Sequence, residues 1–350
     1  MELGIYSFGD RRVDPATGVR ISDEQRINEL LAEIRLADEV GLDIYGLGEH
    51  HRDEYVIAAP PIVLAAAAGQ TKRIRLTSAV TVLSSDDPVR VLQQFHTVDL
   101  ISGGRAEIMA GRGSFIESFP LFGFDLEHYD ELFGEKLELL LALREGGPVT
   151  WQGQHRAPLD GAVIRPDAVQ KPIPVWVAIG GNPPSVARAG LLGLPLAIAI
   201  IGGQPARMAP LADLHRRALA EGGHGPQPIA IAAHGFVAES AKAAGDAFWP
   251  GYAEAMTAIG RERGWPPARR DQFDVGTRRG QHLYVGEPEH VAQKILDDHE
   301  VFGHDRHSLQ MDVGGLPHDE LMRSIELFGT KVAPLVREEV ARRTATAATA

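Results

Sequence analysis

The stretch of this sequence best equipped for chemistry is GLGEHHRDEY, residues 46–55. A short apolar run ends there in Glu49, His50 and His51, and a polar loop follows. Histidine titrates near neutral pH, so it can transfer a proton or bind a metal. Adjacent residues of a strand point to opposite sides, which disfavours a metal held by both rings. A histidine that faces a ligand, a structural histidine and, least favoured, a metal ligand remain open.

The loop GGNPPS, residues 180–185, is a second candidate, together with Arg112, which lies between two glycines. Glycines let backbone N–H groups approach an anion, and a helix that begins near Ser185 would add further N–H groups and a favourable dipole. These residues could hold a phosphate. A glycine-proline turn followed by an N-capping serine explains the same letters equally well.

The elements that position these residues alternate between apolar strands and amphipathic helices. Strands that are apolar throughout are typical of a parallel sheet covered by helices on its outer side. Eight such units favour a closed (β/α)₈ (TIM) barrel, and no GxGxxG follows the first strand. The predicted strands are 3–8, 44–47, 73–83, 105–111, 174–181, 195–203, 228–238 and 308–315.

We expect one domain over residues 1–335, with insertions near 149–169 and 239–305. Residues 336–350 would form a C-terminal tail that is disordered at its end. Active-site residues of such barrels lie at the C-terminal ends of the strands. This rule selects the residues discussed above together with Tyr6, Phe8, Ser78, Ala79, Val80, His234 and Asp312.

Composition removes several classes of function. The chain of 350 residues contains no cysteine, which excludes disulfides, thiolate metal sites and thiol nucleophiles. Its net charge of −12 disfavours nucleic acid and anionic membranes as partners. We expect a cytoplasmic protein, because the N-terminus does not read as a signal peptide and no apolar stretch is long enough to span a membrane.

In its motifs the sequence resembles the luciferase-like, flavin-dependent monooxygenases (the bacterial luciferase family), in particular a subgroup known only as probable oxidoreductases. The resemblance covers residues 1–335 and is carried by GLGEHHRDEY, by 73–115 (RIRLTSAVTVLSSDDPVRVLQQFHTVDLISGGRAEIMAGRGSF) and by 174–200 (PVWVAIGGNPPSVARAGLLGLPLAIAI). It implies a TIM barrel that uses reduced FMN and O₂ to oxygenate a small organic substrate through a C4a-peroxyflavin. It also implies a homodimer and a separate NAD(P)H-dependent flavin reductase.

The resemblance assigns roles to individual residues. His50 matches the family's active-site histidine, and a non-prolyl cis peptide under the flavin ring is expected at Ala79–Val80. The cofactor would be bound by Ser78, Ala79, Val80, Arg112, Gly180, Gly181, Asn182 and Ser185. Independently of the resemblance, we expect the substrate pocket to include Tyr6, Phe8, His51, Phe115 and parts of the insertion over 239–280. Glu49 and His51 would support His50. The phosphate loop departs from luciferase, which has a Glu-Ser pair and a threonine where this chain has Ile179, Gly180 and prolines.

Three other functions remain open. A deazaflavin-dependent hydride-transfer enzyme of the same superfamily would use the same barrel mouth. A metal-dependent barrel hydrolase would use His50, His51, His234 and Asp312. A flavin-binding relative without catalytic activity is the third, and the presence of His50 and Arg112 disfavours it.

Overall fold

The computed structural model describes residues 1–13, 17–113 and 115–349. Ser114, which belongs to the motif 73–115, therefore lies outside the described residues. The strands within these ranges are β1 Glu2–Ser7, β2 Ile44–Leu47, β3 Arg75–Ser78, β4 Thr81–Val82, β5 Ala106–Gly111, β6 Pro148–Trp151, β7 Leu159–Val163, β8 Val175–Ile179, β9 Leu196–Ile200, β10 Ile229–Val237, β11 Leu283–Gly286 and β12 Arg306–Gln310.

Eight parallel strands close into a barrel in the order β1, β2, β3, β5, β8, β9, β10 and β12, and β12 pairs with β1 again. These are the eight strands predicted from the apolar runs, so the predicted (β/α)₈ barrel is confirmed. The predicted strand 73–83 is interrupted at the Ala79–Val80 peptide bond, which is cis, as expected from the resemblance. It resumes as β4, which pairs with β5.

Helices surround the barrel, and most follow a strand. They are α1 Asp23–Glu39, α2 Pro60–Ala68, α3 Pro88–Ser102, α4 Ser118–Phe122, α5 Tyr129–Arg144, α6 Pro183–Leu191, α7 Ala209–Glu221, α8 Ala241–Arg263, α9 Arg270–Gly276, α10 Pro288–Phe302, α11 His318–Leu327 and α12 Ala333–Thr349. Helix α12 occupies the segment expected to be a tail, and Ala350 lies outside the described residues. No helix of the described ranges has the length and apolar character needed to cross a membrane.

The two predicted insertions differ in how they join the barrel. In the insertion near 149–169, strands β6 and β7 form a separate antiparallel hairpin. The second insertion contains α8, α9, β11 and α10, and β11 extends the main sheet. Strand β10 pairs with β9 and β12 through its first half and with β11 from His234 onward. His234 therefore lies where β10 changes partner.

The main hydrophobic core lies between the strands and the helices, not in the barrel centre. Leu3, Ile198, Ile231 and Leu309 belong to this core and are fully buried. On β9 (LAIAI) and β10 (IAIAA) the residues between the isoleucines face inward and are alanines. Barrel centres are usually filled with layers of bulky side chains. In this chain Trp176 and Met109 fill part of the centre, and the alanines leave the rest open as a cavity.

Candidate active site

A cavity of about 430 Å³ begins at the C-terminal mouth of the barrel and continues into its centre. Of the thirteen residues assigned to catalysis, cofactor binding and the substrate pocket, nine line it: Tyr6, Phe8, His50, Ala79, Val80, Arg112, Phe115, Gly180 and Asn182. Glu49 and His234, which the strand-end rule also selected, line it too. Its inner part is lined by alanines at 178, 197, 199, 230 and 232, together with Ile5 and Ile44. The alanines were not predicted, although the Ala/Ile alternation that produces them is visible in the sequence.

An ion pair forms the floor of the cavity. Arg306 lies at the start of β12, and its Nη1 is 2.8 Å from Oε2 of Glu107. Its guanidinium also lies over the Trp176 ring, 4.3 Å from the centroid. Both charged groups are buried and paired, so the floor closes the barrel without offering an unpaired charge to the cavity. The inner cavity is thus closed at this end, and its walls are mainly apolar, with Thr77, Ser308 and Gln310 as polar exceptions.

His50 is held by aromatic rings where the cavity opens. Its ring lies 4.4 Å from Phe8, 4.6 Å from Tyr55 and 5.1 Å from Phe115, centroid to centroid. Its backbone N–H donates to the carbonyl of Ile57 at 2.8 Å, which fixes the residue after β2. Tyr55 was not predicted as a site residue, although it is the last residue of the motif GLGEHHRDEY.

The surroundings of His50 keep its imidazole neutral. Burial lowers its pKa to about 3, and the nearby positive charge of Arg52 acts in the same direction. Among the described residues, no side chain forms a hydrogen bond with the ring. A neutral imidazole that faces a cavity can accept a proton at one nitrogen and donate one from the other.

Glu49 lines the cavity with His50, whereas His51 does not. Nε2 of His51 lies 2.9 Å from Oε1 of Glu49, and its ring packs edge-on against Phe122. The other carboxylate oxygen of Glu49 accepts the backbone N–H of Val82 at 2.9 Å. The Glu49 N–H in turn donates to the carbonyl of Val80 at 3.0 Å. Glu49 therefore holds the segment that follows the cis peptide, while His51, expected in the substrate pocket, lies outside the cavity lining.

The glycines of GLGEHH allow this segment to pack closely. A Cβ at Gly46 would lie 2.8 Å from the Cβ of Ala79. A Cβ at Gly48 would lie 2.8 Å from the carbonyl oxygen of Ala79 and would overlap the Phe8 ring. Real Cβ atoms do not tolerate such distances, so both positions require glycine.

Near His50, an ion-pair cluster connects the mouth of the cavity to the second insertion. The Arg52 guanidinium lies 3.7 Å from the Phe115 ring centroid. It also pairs with Glu262 of α8 at 2.6 Å and with Glu117 at 3.3 Å. The Phe115 ring contacts both the Arg52 guanidinium and the His50 ring, and His50 is only 7% exposed.

Arg112 lines another part of the cavity, and a ligand can replace its ion-pair partner Asp130. It forms an ion pair with Asp130, and its guanidinium lies 5.0 Å from the Tyr129 ring centroid. The Asp130 side chain is 72% exposed. Exposed ion pairs stabilise proteins by about 0–1 kcal/mol, so an incoming anion can compete for Arg112.

The loop 180–185 differs from its prediction in one physical respect. The N-cap of α6 is Asn182, whose side-chain oxygen accepts the N–H of Ser185 at 3.2 Å, so Ser185 is not the cap. The helix begins with Pro183 and Pro184, which have no N–H. The helix N-terminus is therefore poor in donors. Gly180 lines the cavity and has open space where a Cβ would be, whereas Gly181 and Ser185 lie outside the lining.

A buried acidic network borders the cavity beside Tyr6. Asp10 lines the cavity and accepts the N–H of Gly314 at 2.8 Å. Asp312 is bound by the Ser7 hydroxyl and by Arg26, whose Nη2 lies 3.0 Å away. Burial, followed by the charge of Asp312, raises the pKa of Asp10 well above its usual range. The protonated acid of Asp10 is thus favoured at the cavity wall.

Two other sets of predicted residues have different surroundings. The Ser78 hydroxyl exchanges hydrogen bonds of 3.0 Å with the backbone of Met109 and lies outside the cavity lining.

The four residues considered for a metal hydrolase do not form a ligand group. His51 is bound to Glu49 and Asp312 to Arg26, while His234 contacts Tyr252 edge-on at 6.0 Å.

Comparison with known proteins gives a consistent result. The sequence profile of the luciferase-like monooxygenases matches residues 1–305. The crystal structure of monooxygenase RslO1 from Streptomyces bottropensis is similar, with a TM-score of 0.82, 26% identity and coverage of 95% of this chain and 99% of that one.

Two further relatives differ in cofactor. The oxygenating constituent of 3,6-diketocamphane monooxygenase from Pseudomonas putida, in complex with FMN, has the same fold, with a TM-score of 0.76, 20% identity and coverage of 95% of this chain and 98% of that one. An F420-dependent glucose-6-phosphate dehydrogenase from Amycolatopsis mediterranei is 30% identical over 186 residues, which are 50% of this chain and 55% of that protein.

Proposed function

Because the chain belongs to the luciferase-like monooxygenase family, we propose that it uses reduced FMN and O₂ to insert one oxygen atom into a small organic substrate. One observation carries the proposal: a neutral, ring-enclosed His50 faces an apolar cavity whose wall also contains Arg112 and the open Gly180 loop. The site thus combines a proton-handling group, an anion-binding group and a space that excludes water.

The lining residues fit a flavin. Arg112 can exchange its exposed partner Asp130 for the flavin phosphate, and Gly180 leaves space for the phosphate beside the backbone. The side-chain NH₂ of Asn182 is a further donor, since its oxygen is used in capping α6. Ala79 and Val80 line the cavity with small apolar side chains that a flat ring can lie against. Reduced FMN, when bound, supplies the electrons that activate O₂.

In this proposal the residues of the chain bind, enclose and handle protons. Arg112 holds the phosphate, and the rings of Phe8, Tyr55 and Phe115 exclude water around His50. The neutral imidazole of His50 accepts or donates a proton at its ring nitrogens as oxygen is transferred. General acid–base catalysis of this kind contributes about 10²- to 10⁴-fold to the rate.

The inner cavity indicates the substrate's character. Its walls are mainly apolar, with the polar side chains of Thr77, Ser308 and Gln310 among them, and its floor charges are paired, so an uncharged and mainly apolar portion of the substrate fits there. A separate NAD(P)H-dependent reductase would supply the reduced flavin, and the chain would act as a homodimer. Light scattering of the purified protein tests the dimer, and turnover with NADH alone tests whether a separate reductase is needed.

The proposed reaction can be tested with isotopic oxygen. The protein is equilibrated anaerobically with reduced FMN, exposed to ¹⁸O₂ and incubated with a panel of uncharged aldehydes, ketones and aromatic compounds. We expect one ¹⁸O atom per product molecule by mass spectrometry. His50→Gln should bind reduced FMN with nearly unchanged affinity and lose about 10²- to 10⁴-fold in turnover. Unlabelled products, or equal turnover by the variant, would contradict the proposal.

A second candidate is hydride transfer with reduced F420, which the Amycolatopsis relative favours. The same anaerobic titration separates the two functions. Tight binding of reduced F420, weak binding of reduced FMN and substrate reduction without O₂ would establish the second candidate.

A further inference from the structure

A group of metal-ligating side chains lies outside the cavity, at the first turn of α5. It consists of His128, Glu131 and His155, and one ligand atom from each residue lies within 4.8 Å of the other two. Among the described residues this is the one such group of three. His128 and Glu131 are one helical turn apart, whereas His155 comes from the connection between β6 and β7. The group thus joins the hairpin insertion to the barrel.

The spacing of these atoms matches a coordination shell. Oε2 of Glu131 lies 3.1 Å from Nδ1 of His128 and 3.2 Å from Nε2 of His155. In a tetrahedral zinc site with bonds of about 2.0–2.1 Å, two ligand atoms are about 3.4 Å apart. Two of the three edges therefore have nearly the required length. The third, between the imidazoles, can shorten because the His128 side chain is 49% exposed and can rotate.

The third ligand is held in place independently of the other two. Glu135, one turn beyond Glu131 on α5, accepts the backbone N–H groups of Gln154, His155 and Arg156 at 2.6–3.1 Å. The His155 side chain is only 15% exposed. This backbone is fixed to the same helix that carries Glu131, so His155 needs little further ordering when an ion binds.

We propose that His128, Glu131 and His155 form a binding site for a divalent zinc-like cation, with water from the solvent as the fourth ligand. Two imidazoles and one carboxylate suit Zn²⁺ and disfavour Mg²⁺ and Ca²⁺, which prefer oxygen ligands. The bound ion fastens the hairpin to the first turn of α5. That turn also contains Tyr129 and Asp130, which contact Arg112, so the ion stabilises the part of the mouth around this arginine.

The test is calorimetric titration of the untagged full-length protein, stripped with a chelator, with ZnCl₂ alone. We expect one Zn²⁺ per chain. His155→Ala and Glu131→Gln should each raise the dissociation constant at least tenfold, whereas the control His224→Ala, at a histidine outside the group, should leave it unchanged. Co²⁺ should give the visible absorption of a tetrahedral complex in the wild type and lose it in His155→Ala.

Each protein is also unfolded thermally with and without Zn²⁺, and only the wild type and His224→Ala should gain stability with Zn²⁺. The absence of stoichiometric uptake, or equal uptake by His155→Ala and Glu131→Gln, would overturn the site. None of these measurements depends on flavin or turnover, so they stand apart from the proposed monooxygenase activity.

Discussion

Replacing His50 with glutamine should change how the stability of the protein depends on pH. Burial lowers the pKa of His50 to about 3 in the folded protein, while the unfolded chain has a histidine pKa of about 6.5. Between these values the unfolded state binds a proton that the folded state does not, so acid destabilises the folded state. The stability is fully present above pH 6.5 and is lost progressively as the pH falls toward 3. His50→Gln removes this one titration.

The size of the effect follows from linkage. One group contributes about 1.4 kcal/mol per pH unit within its window. Between pH 7.5 and pH 5 the wild type should therefore lose about 2 kcal/mol of unfolding free energy relative to His50→Gln, about 30-fold in the equilibrium constant. Urea unfolding of both proteins at several pH values, followed by circular dichroism, measures this difference.

Tyr55→Phe is the matched control. Its ring packs 4.6 Å from His50, and burial raises the tyrosine pKa, so it does not titrate in this range. Its stability difference from the wild type should be independent of pH. If the difference between wild type and His50→Gln is equally flat, the imidazole is not shielded in the folded protein and the argument for a neutral His50 fails.

Three other substitutions test separate parts of the site. Arg112→Ala should lower the affinity for FMN about 10- to 150-fold in equilibrium titration, because it removes a hydrogen bond to a charged group, and should change the affinity for riboflavin little. Asp130→Asn should keep or improve FMN binding. Equal losses of affinity for both flavins would count against a phosphate contact. Ala232→Leu should fill the inner cavity and lower kcat/KM more for long apolar substrates than for short ones. Its unfolding free energy should stay within about 1 kcal/mol of the wild-type value. Unchanged selectivity would show that substrates do not reach the barrel centre. Gly48→Ala should destabilise the protein by about 1–3 kcal/mol in thermal unfolding, because its Cβ would lie 2.8 Å from a backbone oxygen. The control Gly69→Ala should not destabilise it, because the nearest atom to its Cβ would be 3.7 Å away. Comparable melting temperatures of the two variants would refute the packing argument.

The barrel and the strand-end residues could be predicted because both depend on local sequence. Apolar runs located all eight barrel strands, and the rule that sites lie at their C-terminal ends located His50 and Arg112. Two further features of the structure are visible in the sequence. Prolines at 183 and 184 carry no N–H, so the start of α6 could not be a rich anion-binding terminus. The Ala/Ile alternation of β9 and β10 indicated an open barrel centre.

The remaining features depend on partners far apart in the chain. Arg52 pairs with Glu262, 210 positions away, and Gly314 donates to Asp10 over 304 positions. The order of strands brings these residues together, and no spacing in a single sequence specifies which charges then meet. The polar pairs across the barrel mouth are therefore known only from the structure and not from the sequence.

The small residues of the barrel centre have a consequence for how such a protein changes during evolution. Most stability of a folded chain comes from well-packed apolar cores, and here that core lies outside the strands, around residues such as Ile198 and Ile231. Mutations at the inward alanines alter the shape of the cavity and leave this outer core intact. Selection can thus act on substrate preference at these positions without first requiring compensating mutations elsewhere, which suits a barrel that keeps its fold while its chemistry diversifies.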